Sequence, residues 1–171
     1  MKTNSKRKGG AFERKIAKEL SIWMFEDEDV LKRHPTSGTD KCIWTGDVVP
    51  LKQLPEYWNK WCFQIECKTG YKTFYPDFWN YNKILDWIDK AEKEAICHNQ
   101  NILFLICQFK YRKALLITNF KFIKIKENII FNHNEIFYYV YEYQKIIESN
   151  FNDSFSFIQK EKEVLIRSCN E

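Results

Sequence analysis

The stretch Cys62–Lys68 constrains the fold of this chain most, because its side chains alternate between apolar and polar. In a β-strand, successive side chains point to opposite faces of the sheet. Glu66 and Lys68 are therefore predicted to share one face of a strand. The apolar side chains fall on the opposite face: Phe63, Ile65 and Cys67. The stretch predicts a strand that packs on a core and presents a carboxylate and an ammonium side by side.

A second carboxylate, Asp47, lies upstream in the strand-like stretch Ile43–Val49. If Asp47 ends that strand, the two strands form a hairpin that presents Asp47, Glu66 and Lys68 at one point. Two neighbouring carboxylates repel each other unless a cation separates them, and hard oxygen ligands suit Mg²⁺ or Mn²⁺. We expect such a site to bind a metal and to activate a water beside it.

Composition restricts the class of protein and the kinds of site that this chain can have. The chain has 171 residues, of which 44% are hydrophobic and 17% aromatic, so we expect one compact domain. The six cysteines form no CxxC pair, which disfavours a structural zinc site and fits a reducing intracellular compartment. The longest apolar run, residues 102–107, is too short to span a bilayer. The net charge of +4 is a weak bias towards polyanionic partners.

The N-terminal region predicts a basic arm followed by a helix. Residues 1–9 are polar and basic without periodicity, which predicts a flexible arm. Apolar residues recur at helical spacing from Gly10 to Phe25, and Glu13 projects into the middle of that apolar face. A buried carboxylate is costly unless it is paired or near a metal. The alternative for Glu13 is a salt bridge or a role in the first helical turn.

The rest of the chain predicts alternating strands and helices. The acidic run 26–29 is expected to close the first helix, and 35–40 is expected to form a turn. A second helix is predicted from an N-cap at Asp77 to Cys97. The other predicted strands are Val30–His34, Asn101–Phe109, Ala114–Thr118, Phe120–Lys126 and Ile136–Tyr143.

This order of elements resembles the PD-(D/E)XK nuclease superfamily over roughly residues 8–108. The resemblance implies an α/β fold with a restriction-endonuclease-like core, in which helices flank a mixed central sheet. The expected order is αβββαβ with extra C-terminal strands. We expect one nuclease domain, 10–171, with its core at about 10–109 and a C-terminal extension at 110–171.

Four short motifs look like the signature of archaeal Holliday junction resolvases and related phage-encoded nucleases. They are Gly9–Glu13, Ser37-Gly38, Gly46–Val49 and Glu66–Lys68. The chain departs from that signature in two places. Gly46 stands where proline often precedes the aspartate, and residues 51–61 lengthen the predicted hairpin.

Carried over by position, the resemblance implies a role for each site residue. Asp47 and Glu66 would be metal ligands, together with the backbone carbonyl of Cys67. Lys68 would orient or polarise the attacking water, and Glu13 would support the metal directly or through water. Ser37 would be an auxiliary active-site residue.

The implied protein is a Mg²⁺- or Mn²⁺-dependent DNA endonuclease that acts on branched DNA, such as a four-way junction, as a homodimer. It would act in the cytoplasm, or in the host cytoplasm if encoded by a phage, with no nucleotide cofactor and no membrane partner. The predicted DNA-binding residues are Lys6, Arg7, Lys8, Arg14 and Arg33.

Three alternatives remain open. The first is a nuclease for linear or host DNA. The second is a DNA-binding protein on the same fold without cleavage activity. The third is an interaction module that uses the aromatic C-terminal half.

Overall fold

The structure is a computed structural model that describes residues 3–34, 44–51, 54, 61–70, 82–110, 112–122 and 124–151, with side chains from Arg7 onwards. The helices in these ranges are α1 (Thr3–Phe25), α2 (Asn82–Ile96) and α3 (Tyr143–Ile147). The strands are β1 (Leu31–Arg33), β2 (Val48–Pro50), β3 (Phe63–Thr69), β4 (Ile102–Gln108), β5 (Leu115–Thr118), β6 (Ile129–His133) and β7 (Ile136–Glu142).

Helix α1 buries the apolar face that its sequence predicts, including Phe12, Ile16 and Leu20. It ends at Phe25, and the next residue adopts a positive φ of 57° while its N–H donates to the Ile22 carbonyl at 2.9 Å. The predicted start at Gly10 is wrong, because the helix begins at Thr3 and residues 3–9 have helical rather than irregular backbone. No proline interrupts these residues, so the helix can extend from its packed part towards the N-terminus. No helix among the described residues is both long and apolar enough to cross a bilayer.

The central sheet has the strand order β3-β4-β5-β7-β6. Strands β3 and β4 run parallel, with α2 between them in the chain, and the other neighbours pair antiparallel. The apolar strand predicted at Asn101–Phe109 is β4, which lies inside the sheet and is buried from Ile102 to Cys107. The predicted α/β fold with a mixed sheet flanked by helices is confirmed.

Each face of the sheet covers its own core, because alternate residues of a strand point to opposite faces. Helix α1 packs on one face, where Phe104 and Ile106 of β4 lie. Helix α2 packs on the other face, where Leu103 and Leu105 lie. The apolar residues of β3 belong to the α1 core, as predicted: Phe63, Ile65 and Cys67. The fully buried Trp61 lies in the same core.

The predicted hairpin of β2 with β3 is wrong. Strand β2 is only three residues long and pairs antiparallel with β1, from Leu31↔Pro50 to Arg33↔Val48. Asp47 therefore precedes β2, and residues 44–47 form no strand. The reason is that β1 offers an edge for backbone pairing, whereas the segment before β2 bends at Gly46 to meet β3.

The region after β5 also differs from the prediction. No strand forms at Phe120–Phe122 or at residues 124–126, because Phe122 is buried as a core anchor and its N–H donates to the Tyr141 hydroxyl at 2.9 Å. Strand β6 was not predicted. It forms a hairpin with β7 through Asn134 and Glu135, both at positive φ (50° and 66°), which is the pattern of a type I′ turn. The first residue of α3, Tyr143, was predicted to end the strand.

Candidate active site

Strand β3 places Glu66 and Lys68 side by side, as their alternation predicts. The Lys68 Nζ lies 2.7 Å from Glu66 Oε2. The Lys68 side chain is 20% exposed and the Glu66 side chain is 12% exposed, so this ion pair is largely shielded from water. Because β3 is the edge strand of the central sheet, its outer side is available for the segment that carries Asp47.

Asp47 docks directly against β3. Its N–H donates to the Ile65 carbonyl at 2.7 Å, and its Oδ2 accepts a hydrogen bond from the Cys67 N–H at 2.8 Å. These two bonds lie on either side of Glu66 in the chain. The structure thus brings Asp47, Glu66 and Lys68 together, although through docking of a bent segment and not through a hairpin.

Gly46 makes this docking possible. It has a φ of +100°, and a Cβ atom at this position would lie 2.7 Å from the Ile65 carbonyl oxygen. Both the backbone angle and the available space therefore favour glycine. Glycine rather than proline at this position has a structural reason, since the segment must touch β3 at this residue.

The electrostatics of the site favour the addition of a cation. Burial, and next the charge of Glu66, raise the pKa of Asp47 to about 6, whereas the Cys67 N–H and the Lys68 ammonium lower it. Burial and the Glu66 charge together thus outweigh the effect of the Cys67 N–H and the Lys68 ammonium on the pKa of Asp47. Carboxylate oxygens in a partly buried site match what Mg²⁺ and Mn²⁺ require.

The chain does not offer a complete set of side-chain ligands in the part that is described. There, no three His, Cys, Asp or Glu side chains form a group that could hold a metal ion. A divalent ion at Asp47 and Glu66 would take its other ligands from backbone carbonyls, water or a bound phosphate, as Mg²⁺ commonly does. This donor set fits the predicted use of the Cys67 carbonyl.

Glu13 lies close to this site but has a partner of its own. Its Oε2 forms an ion pair with the Arg33 Nε, the salt bridge that the sequence left open as the alternative. Gly10 gives Arg33 room, since a Cβ there would lie 3.3 Å from the Arg33 Cζ. The Glu13 charge still contributes to the raised pKa of Asp47, which places its carboxylate within electrostatic reach of the metal-binding candidates.

Cys67 has its thiol on the face opposite Glu66 and Lys68. Its side chain is buried in the α1 core, and burial raises the pKa of the thiol well above its ordinary value. The neighbouring charges of Asp47 and Glu66 act in the same direction. A thiolate nucleophile is therefore disfavoured here.

Four of the remaining predicted residues are described with their side chains: Arg7, Lys8, Arg14 and Arg33. Ser37 and the side chain of Lys6 fall outside the described part of the chain. Arg7 and Lys8 are exposed on α1. A groove of about 500 Å³ lies between α1 and β1, and its charged lining residues are Arg14, Lys18, Lys32, Arg33 and Glu28.

Two buried glutamines beside the site were not predicted to matter. Gln64 is 0% exposed and Gln100 is 2% exposed, and both bond to Thr45. For Gln64 a signal existed, because an amide in an otherwise apolar strand needs a partner. For Gln100, which follows the turn after α2, the sequence carries no comparable signal.

Comparison with known proteins identifies a family that this sequence matches. The sequence matches the family described as "Phage putative PDDEXK endonuclease" over residues 4–164, which is nearly the whole chain. No curated protein and no solved structure gives a significant match.

Proposed function

Since the chain belongs to the phage PDDEXK endonuclease family, we propose that its nuclease activity is the Mg²⁺-dependent hydrolysis of phosphodiester bonds in branched DNA. The observation that carries the proposal is the convergence of Asp47, Glu66 and Lys68 at the edge of β3. The raised pKa of Asp47 supports a metal at this point, because a divalent cation would stabilise both carboxylates.

Each residue has a distinct role in this proposal. Asp47, Glu66 and the Cys67 carbonyl would hold the metal, which when bound supplies a Lewis acid for the phosphate. Lys68, held by Glu66, would position the attacking water. The water loses a proton to solvent as its oxygen bonds to phosphorus, the bond from phosphorus to the leaving oxygen breaks, and that oxygen takes up a proton from solvent. Glu13 would act on the site through its charge or through a water.

The DNA backbone would approach across the basic surface of α1. Arg7 and Lys8 are exposed there, and Arg14 and Arg33 line the groove between α1 and β1. Such residues bind phosphates without reading the sequence. Replacement of Arg7 and Lys8 by Ala should weaken DNA binding. A plot of the logarithm of the DNA-binding constant against the logarithm of salt concentration should become less steep, its slope changing by about 1–2. Lys93→Ala on α2 serves as the control.

The substrate preference is tested with three labelled DNAs: a four-way junction, a flap and a linear duplex. Wild type is compared with Asp47→Asn and with Asp86→Asn, an exposed aspartate on α2. Paired symmetric nicks on the junction, lost only in Asp47→Asn, would support a resolvase. Comparable cutting of linear duplex would favour the linear-DNA alternative, and binding without any cutting would favour the DNA-binding alternative.

The homodimer is part of the same proposal. Two symmetric cuts on a four-way junction require two active sites, and a two-fold dimer supplies them. Light scattering of the protein with and without junction DNA measures this directly. A protein that cuts both junction strands while remaining monomeric would contradict the dimer.

A further inference from the structure

A chain of hydrogen bonds connects Gln100, which follows α2 in the sequence, to Glu66. It consists of Gln100, Thr45 and Gln64, and the two glutamines are almost completely shielded from water. A buried amide costs free energy unless its donors and acceptors are satisfied. The partners of these amides therefore reveal what the chain of bonds holds in place.

Gln100 uses its whole amide to tie two segments together. Its Nε2 donates to the Phe63 carbonyl at 2.6 Å and to the Thr45 carbonyl at 3.1 Å. Its Oε1 accepts from the Thr45 N–H at 3.1 Å and lies 2.8 Å from the Thr45 hydroxyl. Thr45 is two residues before Asp47, and Phe63 is three residues before Glu66. Gln100 thus fastens the Asp47 segment to β3 just before both carboxylates.

Gln64 continues the chain to the site itself. Its Oε1 accepts from the Thr45 hydroxyl at 2.7 Å, and its Nε2 donates to Glu66 Oε1 at 3.3 Å. The other oxygen of Glu66 accepts from Lys68. Because a carboxylate only accepts hydrogen bonds, the Gln64 amide must turn its NH₂ towards Glu66 and its oxygen towards Thr45. Glu66 is therefore held from two sides.

We propose that Gln100 and Gln64 are positioning residues for a divalent cation. Gln100 sets the separation between the Asp47 segment and β3, and Gln64 sets the orientation of the Glu66 carboxylate. Neither touches the reacting atoms. The inference rests on the proposed function, since it assigns these amides to the metal ligands named there.

The test uses replacements that keep the volume and remove the hydrogen bonds. These are Gln64→Met and Gln100→Met, with Gln144→Met on the exposed side of α3 as the matched control. Binding of Mn²⁺ alone to the DNA-free protein is measured by calorimetry, together with the melting temperature and the Mg²⁺ concentration that gives half-maximal cleavage.

Loss of a residue that orients a metal ligand typically weakens metal binding by about 10–100-fold. We expect Mn²⁺ affinity to fall at least about tenfold in Gln64→Met and Gln100→Met, and the Mg²⁺ midpoint to rise in parallel. Gln144→Met should leave both unchanged. If either variant fails to fold, Thr45→Val breaks the same chain of bonds at a partly exposed residue, and the same loss of affinity is expected.

Two results would overturn the inference, and they can be told apart. Wild-type Mn²⁺ affinity in all folded variants, with only the melting temperature lowered, would show that the amides serve the fold alone. A wild-type protein that binds no Mn²⁺ and cuts no DNA would refute the proposed function and the inference together. Normal wild-type binding that is lost in Asp47→Asn keeps the proposed function, whatever the glutamine variants show.

Discussion

At the scale of single residues, Asp47 is a carboxyl group whose negative charge is unfavourable in the folded protein. Its pKa rises from 3.8 to about 6, mainly because it is buried and next because Glu66 is negative. A raised carboxyl pKa means that the ionised form is less favourable in the folded than in the unfolded chain. In the absence of metal, Asp47 therefore destabilises the protein at neutral pH.

Replacement of Asp47 by Asn should abolish cleavage yet stabilise the metal-free protein at pH 7.5. Wild type loses stability as pH rises from about 4 to above 6, because the unfolded aspartate ionises first. The full penalty is about 1–3 kcal/mol, since each pKa unit corresponds to about 1.4 kcal/mol. Asn avoids this penalty and can still accept the Cys67 N–H.

Thermal denaturation of metal-free wild type and Asp47→Asn between pH 4 and pH 8 measures this effect. The variant should melt at a higher temperature at pH 7.5, and the difference should vanish near pH 4. A constant difference over the whole range would mean that the ionisation of Asp47 is not its cause.

At the scale of elements, the contact between the Gly46 bend and β3 decides whether the site forms. Replacement of Gly46 by Ala would place a Cβ 2.7 Å from the Ile65 carbonyl oxygen at a φ of +100°. We expect a loss of about 2–4 kcal/mol, the sum of backbone strain and overpacking. The bend would then move away from β3, and cleavage should fall with it.

Gly70→Ala is the matched control for this prediction. Gly70 also has a positive φ, +84°, but a Cβ there meets no atom of the described residues within 4 Å. Only the backbone strain remains, about 1–2 kcal/mol. Urea denaturation measures the free energy of unfolding of the two variants. Equal losses of this free energy would show that the close approach of Gly46 to Ile65 contributes nothing to the effect.

The β6–β7 hairpin supplies a second prediction at this scale. Glu135 adopts a φ of 66° in a turn where glycine is preferred. Glu135→Gly should stabilise the protein by about 0.5–1 kcal/mol, because it removes the strain of a left-handed residue with a side chain. Asn134→Gly should gain less, since asparagine tolerates this conformation and Asn134 donates to Asp89 at 3.3 Å. A lower urea midpoint for Glu135→Gly would contradict the assignment of the turn.

At the scale of the whole molecule, metal binding and folding are coupled under the proposed function. A ligand that binds only the folded state stabilises it by about 2.7 kcal/mol at 100 times its Kd. For a chain of this length, that corresponds to about 5–10 °C in melting temperature. Mn²⁺ should therefore raise the melting temperature of wild type by this amount.

Two variants separate metal binding from chemistry in the same melting experiment. Asp47→Asn should lose the Mn²⁺-dependent increase because a ligand is missing. Lys68→Ala should keep the increase while losing cleavage, since an ammonium is not a metal ligand. An unchanged cleavage rate in Lys68→Ala would remove lysine from the mechanism.

The sequence by itself determined the features that depend on local periodicity. The alternation in Phe63–Thr69 placed Glu66 and Lys68 on one face, and the apolar run of β4 identified a strand buried on both faces. The helical spacing of α1 identified its buried side. Neighbouring residues in a regular element have a fixed geometry, so their faces can be read before the fold is known.

Only the tertiary structure decided which segments meet. The short strand β2 pairs with β1 rather than with β3. Phe122 is buried in the core but lies outside any strand, and Glu13 forms an ion pair with Arg33. The tertiary structure also joins Gln100 to Thr45 across 55 residues of chain. Such contacts depend on space, burial and the competition between possible partners, none of which is encoded in the spacing of nearby residues.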